Sequence, residues 1–147
     1  MGAEKLLVPS NDICVGNITP IGDFMANCVV WIDIPVLNLD RAISFYSAVL
    51  GTQLGRMDYP GMSLGFLPGQ ESGGVSGCLF ESETIKPSDQ GPLVYLDCTG
   101  RLSEAEIAVE PAGGKVLQSK HAIGPHGFRV VILDSEGNRV ALHSQTQ

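Results

Sequence analysis

The stretch that decides the fold is Val29-Val30-Trp31-Ile32-Asp33-Ile34-Pro35-Val36-Leu37-Asn38-Leu39-Asp40-Arg41-Ala42-Ile43-Ser44-Phe45-Tyr46, followed by Val49-Leu50-Gly51. Its first eight residues are rich in β-branched side chains, and Val30, Ile32, Ile34 and Val36 fall on one face of a strand. Asn38 then offers an N-cap, and Leu39, Ala42, Ile43, Tyr46, Val49 and Leu50 recur at helical spacing. Gly51 stands where a helix ends in a left-handed residue. A strand, a helix over 39–50, and short strands around 52–57, 62–67 and 74–80 are therefore predicted, divided by Gly and Pro turns.

The rest of the chain repeats this plan. Leu39, Ala42, Gly51 and Leu54 recur 63 positions later as Leu102, Ala105, Gly114 and Leu117. The turn Glu71-Ser72-Gly73-Gly74 has its counterpart at the same offset in Asp134-Ser135-Glu136-Gly137. The strand Leu93–Cys98 matches the first strand at an offset of 62, because Tyr95 then shares the face of Asp33. A slip of one residue turns every side chain of a strand over, so face chemistry selects that register. The expected organisation is an N-terminal arm over 1–27, a first βαβββ module over 28–81, a polar linker over 82–91 and a second module over 92–147, the modules forming one domain.

Composition agrees with a folded single domain: 147 residues, 44% hydrophobic and 17% charged, with 18 glycines for the turns. Nine Lys and Arg stand against 16 Asp and Glu, a net charge of −7, and no basic cluster exists to hold a phosphate backbone. Nucleic acid is therefore not an expected partner. Cys14, Cys28, Cys78 and Cys98 form no CxxC pair, and Cys28 and Cys98 lie in apolar runs where a thiol acts as a small hydrophobe. Leu6-Leu7-Val8 is too short for a signal-peptide core, and no run approaches a membrane span, so a cytoplasmic protein is expected.

In this order and inside a duplicated chain, Ile34 to Tyr46 with Val49-Leu50-Gly51 resembles the opening module of the vicinal oxygen chelate superfamily. That group comprises glyoxalase I, extradiol dioxygenases and bleomycin resistance proteins. Ala112-Gly113-Gly114-Lys115-Val116 and Asp134-Ser135-Glu136-Gly137-Asn138-Arg139-Val140-Ala141-Leu142-His143 are similar to the second module. The resemblance spans residues 27–145 and implies an α+β fold. In it, two βαβββ modules form an open, curled mixed β-barrel around a cavity, with the helices outside.

It also implies metal ligands from His, Glu or Gln on the first and last strands of each module. Those positions are here Trp31, Leu93 (Val94 in the other register), Cys78 and Ala141. Three of the four side chains have no lone pair for a divalent ion, so no metal and no other cofactor is expected.

In the expected register Trp31, Asp33, Ser76, Cys78, Phe80, Tyr95, Asp97, Arg139 and His143 face inward. Trp31, Cys78, Phe80, Tyr95 and Arg139 are the candidate ligand-binding residues for a small organic molecule. The alternative is filler, with Arg139 paired to an Asp. His143 is the candidate acid–base group, oriented by Asp33 or Asp97, unless it makes only a backbone hydrogen bond at the strand end. Whether the chain is an enzyme stays open. The alternatives to simple binding are a lyase- or isomerase-like activity on a small metabolite, or an acidic groove that sequesters a cationic drug. The resemblance further implies a homodimer. His121 and His126 are loop histidines whose reach to the cavity the sequence leaves open.

Overall fold

The computed structural model describes residues 27–147. The expected arm over 1–27, with Cys14, lies outside the described residues apart from Asn27. In chain order the elements are β1 (Trp31–Val36), α1 (Leu39–Leu50), β2 (Gly55–Tyr59), β3 (Met62–Phe66), β4 (Ser76–Glu81), β5 (Val94–Asp97), α2 (Leu102–Val109), β6 (Lys115–Ala122), β7 (Phe128–Leu133) and β8 (Arg139–Ser144). They form two four-stranded sheets, ordered β1-β4-β3-β2 and β5-β8-β7-β6. Each is mixed: β1–β4 and β5–β8 run parallel, and the remaining pairs are antiparallel. The sheets curl side by side without closing into a barrel, and each carries its helix on one face.

Local chemistry accounts for the elements. The Asn38 side chain accepts a hydrogen bond from the Arg41 amide at 2.9 Å, which starts α1. Gly51 ends it at φ 68°, its amide donating to the Ser47 carbonyl. A side chain at Gly51 would also strike the Arg101 guanidinium, 2.5 Å from the position of a Cβ. That guanidinium donates to the Val49 carbonyl at the C-terminal end of α1 and so ties the two helices together.

The core is continuous across both halves. Ile34, Val36 and Leu79 pack with Ala42, Tyr46 and Val49 of α1, and Leu102, Ala105 and Val109 of α2 meet Val130, Ile132, Val140 and Leu142. The turn between β7 and β8 clasps the first half. Tyr46 donates to Asp134 at 2.6 Å, Arg41 binds Glu136 through two nitrogens, and the Asn138 amide group donates to the Pro35 carbonyl.

Asp33 pairs with Cys78 and Tyr95 with Ala141, so the offset of 62 on the first strands beside 63 on the last is present in the ladders. Some expectations need correction. The first strand starts at Trp31, because β4 begins opposite it and residues 29 and 30 have no partner strand. Val30 is accordingly exposed rather than sharing the buried face, and Cys28 is exposed rather than acting as a core hydrophobe. β2 starts at Gly55, not 52, because the Thr52 and Leu54 amides are held by Ser47 at the helix end. β4 starts at Ser76 because Gly74 still closes a turn onto the Gly69 carbonyl. No helix among the described residues is long and apolar enough to cross a membrane.

Candidate functional site

The face of each sheet turned away from its helix forms the site. In the first sheet, directly paired residues share a face, which runs from Asp33 and Pro35 through Cys78 and Phe80 to Phe66 and Leu64 and ends at Met57. Trp31 donates its indole N–H to Asp33 Oδ1 at 2.8 Å and meets Phe66 edge-on, ring centroids 6.2 Å apart. Cys78 donates its thiol to the same carboxylate oxygen at 3.2 Å. Burial, and then the Asp33 carboxylate, push that thiol up to about 11, which makes it a poor nucleophile at neutral pH. Trp31, Met57, Tyr59 and Met62 all keep more than a third of their surface exposed, so this wall is apolar and open.

The second sheet presents different chemistry on the corresponding face. Asp97 stands opposite His143, His143 opposite Arg129, and Arg129 opposite His121. Arg129 donates from Nη1 to the Tyr95 hydroxyl and from Nε to His121 Nε2 at 3.1 Å. His121 Nδ1 lies 2.8 Å from the Ser119 carbonyl, so its ring is satisfied as the neutral Nδ1–H tautomer. His143 donates from Nε2 to the His126 carbonyl at 2.7 Å, and its ring meets Tyr95 edge-on at 6.0 Å. The Thr99 hydroxyl and then the Thr99 amide hold the Asp97 carboxyl below its ordinary value, and the nearby His143 adds to this.

Two cavities lie between the sheets, and a third lies on the second half alone. One of about 360 Å³ lies between Ile32 and Ser76 of the first sheet and Tyr95 and Asp97 of the second. Another of about 310 Å³ lies between Asp33 and Pro35 on one side and Val94 and Arg139 on the other, with Lys86 and Ser88 across its end. A third, of about 470 Å³, is lined by Tyr95, Ile123, His126, Arg129 and His143.

The predicted residues thus divide between two clusters. Trp31, Asp33, Cys78 and Phe80 stand on the apolar wall, and Tyr95, Asp97 and His143 on the polar one. The bonds of Asp33 go to Trp31 and Cys78, so of the two acids it is Asp97 that the ladder places beside His143. Arg139 makes no salt bridge among the described residues and flanks the cavity beside Asp33. His126 reaches a cavity, and His121 supports Arg129 behind it. Sequence reasoning missed Arg129 and Phe66. The signal for Arg129 is a single cation inside the apolar run Phe128-Arg129-Val130-Val131-Ile132-Leu133.

A divalent metal does not fit the positions where the resemblance implies one. The last-strand positions hold Cys78 and Ala141, and the first-strand partners these meet are Asp33 and Tyr95. One thiol and one carboxylate, already bonded to each other, are too few ligands for such an ion. Among the described residues no group of three His, Cys, Asp or Glu side chains converges on one point.

No protein-family profile matches the sequence, and no curated protein matches it significantly. Solved structures do match. A glyoxalase/bleomycin resistance protein from Albidiferax ferrireducens T118 superposes with a TM-score of 0.63 at 14% identity, over 80% of this chain and 98% of that one. A glyoxalase/bleomycin resistance protein/dioxygenase family enzyme from Burkholderia phytofirmans PsJN gives 0.61 at 15% identity, over 78% and 95%. The V278E variant of glyoxalase I from Zea mays gives 0.62 at 22% identity, over 79% of this chain and 45% of that one. The chain therefore has the paired βαβββ fold of the glyoxalase, bleomycin resistance and dioxygenase structures, the vicinal oxygen chelate fold.

Proposed function

We propose that the chain is a vicinal oxygen chelate protein that binds a small organic molecule in the groove between its two sheets, without a metal. The observation that carries this reading is the contrast of the two walls. Half-exposed aromatic and methionine side chains face one side of the groove, and a few convergent polar groups face the other. Small-molecule sites combine apolar area for affinity with a few placed polar groups for orientation.

Trp31 is the sole tryptophan and stands on the apolar wall, so its emission reports occupancy. A titration with small aromatic and heterocyclic compounds is expected to change that emission saturably, equally with and without a chelator. Binding that disappears on chelation, or one tightly held divalent ion per chain by elemental analysis, would refute metal-free binding.

The acid–base alternative rests on His143 standing opposite Asp97. In it the groove hosts a lyase- or isomerase-like step, and a His143→Ala variant loses far more in turnover than in ligand affinity. In either reading the chain forms a homodimer, which sedimentation velocity tests.

A further inference from the structure

We infer that the groove's ligand carries a carboxylate, held by Arg129 with Tyr95 and His143 around it. This rests on the groove-binding reading above and adds to it the chemical class of the ligand. The starting observation is electrostatic. In a chain of net charge −7, Arg129 sits on the inner wall and makes no salt bridge among the described residues. Its two hydrogen bonds go to neutral acceptors, the Tyr95 hydroxyl and His121 Nε2, and they use Nε and Nη1. These contacts fix the guanidinium plane and leave the two N–H groups of Nη2 and one of Nη1 for a further acceptor.

The setting suits a planar anion. Arginine offers parallel N–H donors that match the two oxygens of a carboxylate. The cavity beside it, about 470 Å³, belongs to the second half and is bounded by Tyr95, His126 and His143, with Ile123 as its apolar side. Tyr95 also lines the cavity between the sheets, so a ligand of the groove reaches Arg129 past that ring. His143 already donates from Nε2 to the His126 carbonyl, so its ring is held in place with Nδ1 as the remaining polar atom. Asp97 faces His143 from β5. One guanidinium with one acid nearby favours a single negative charge over a dianion such as a phosphate monoester, whose second charge would lack a partner. The two acids of the inner faces each accept two bonds at one oxygen, Asp33 Oδ1 from Trp31 and Cys78 and Asp97 Oδ1 from Thr99. Their second oxygens can compete for a cation, so a cationic probe belongs in the test.

The test compares three probes of one shape: benzoate, benzamide and benzylamine. Binding is followed by amide ¹H–¹⁵N shifts of the intact chain. Benzoate is expected to bind at least about tenfold more tightly than benzamide and to shift the amides of Tyr95, Arg129 and His143. Arg129→Gln is expected to abolish that preference, so that benzoate binds no more tightly than benzamide. Arg129→Lys is expected to recover part of it, since charge remains and the fork is lost. An unfolding midpoint within a few degrees of wild type for both variants separates lost recognition from lost structure. Equal binding of benzoate and benzamide, or tighter binding of benzylamine, overturns the carboxylate inference and leaves the groove reading standing. Shifts from none of the three probes at tens of millimolar overturn both.

Discussion

The two halves of the molecule share one scaffold and carry opposite surfaces on it. Where β1, β4 and β3 meet in the first sheet, neighbouring positions hold Pro35, Phe80 and Leu64. The equivalent meeting of β5, β8 and β7 holds Asp97, His143 and Arg129. The late turns diverge as sharply. Asp134, Glu136 and Asn138 are buried between β7 and β8, whereas their counterparts in the turn before β4 contribute no buried residue. Duplication fixes where strands and helices go, because their spacing decides which faces can be buried. It leaves inner faces and turn tips unconstrained. The first half has supplied an apolar wall and an open turn, and the second a polar wall and a clasp.

The clasp is where the comparison breaks most visibly. Asp134 accepts hydrogen bonds from the Tyr46 hydroxyl, the Glu136 and Asn138 amides, and the Asn138 side chain, all at 2.6–2.9 Å. Burial, and then this carboxylate, push the Tyr46 hydroxyl well above its ordinary value, so the proton stays on the tyrosine. Asp134→Ala leaves these donors unsatisfied in a buried site and is expected to cost about 4 kcal/mol in urea unfolding. A loss under about 1 kcal/mol would show that the turn adapts freely and that the two turns differ only in appearance.

Much of the scaffold is legible in the sequence, for local reasons. Asn38, the periodic residues of α1 and Gly51 mark a helix without outside help, and the face of Tyr95 sets the register of β5. What is illegible is non-local. Tyr46 finds Asp134 across 88 positions, and nothing in either segment announces it. The start of β2 is delayed by the Ser47 side chain reaching the Leu54 amide. Arg129 hides because all the remaining residues on both faces of β7 are apolar, so alternation gives no inner face to inspect.

A second divergence lies in the parallel pairs. Gly77 of β4 faces Ile32 so closely that a Cβ there would lie 2.1 Å from the Ile32 carbonyl oxygen. Its counterpart in β8, opposite Val94, is Val140, which is fully accommodated and buried. Gly77→Ala forces backbone apart from backbone and is expected to cost about 3 kcal/mol, with loss of amide protection in β1. A near-neutral effect would mean that the two parallel pairs tolerate side chains alike.

Glu136 extends the contrast to pH. Burial alone would raise its carboxyl, but the Arg41 guanidinium at 2.7 Å and the Leu37 and Asn38 amides outweigh that and hold it below the ordinary value. A carboxyl depressed in the folded state contributes stability above its unfolded pKa, and the contribution is lost as pH falls through the folded one. Glu136→Gln is expected to cost about 2 kcal/mol at pH 7, and the gap to wild type should narrow progressively as pH falls below the ordinary glutamate value of about 4.3. A gap that does not narrow with falling pH would locate the loss in packing instead of charge.

The smallest expected effect comes from the other turn, and it decides whether the comparison is one of structure or only of sequence. Glu71 lies in the exposed turn over Gln70–Ser72, which is closed by backbone bonds from Gly73 to Gln70 and from Gly74 to Gly69 and by the Ser72 hydroxyl. The Glu71 carboxylate takes no part in those bonds, although it occupies the place in the repeat that Asp134 holds in the second copy. Glu71→Ala is therefore expected to change stability by less than about 0.5 kcal/mol in the urea assay used for Asp134→Ala. Gly69 and Pro68, at the base of this turn, line the cavity shared with Tyr95 and Asp97. Any effect of the substitution should thus appear in ligand affinity through the removed negative charge, and should shrink as salt is raised. A stability loss approaching that of Asp134→Ala would mean that both turns clasp, and that the halves are more alike than their hydrogen bonds indicate.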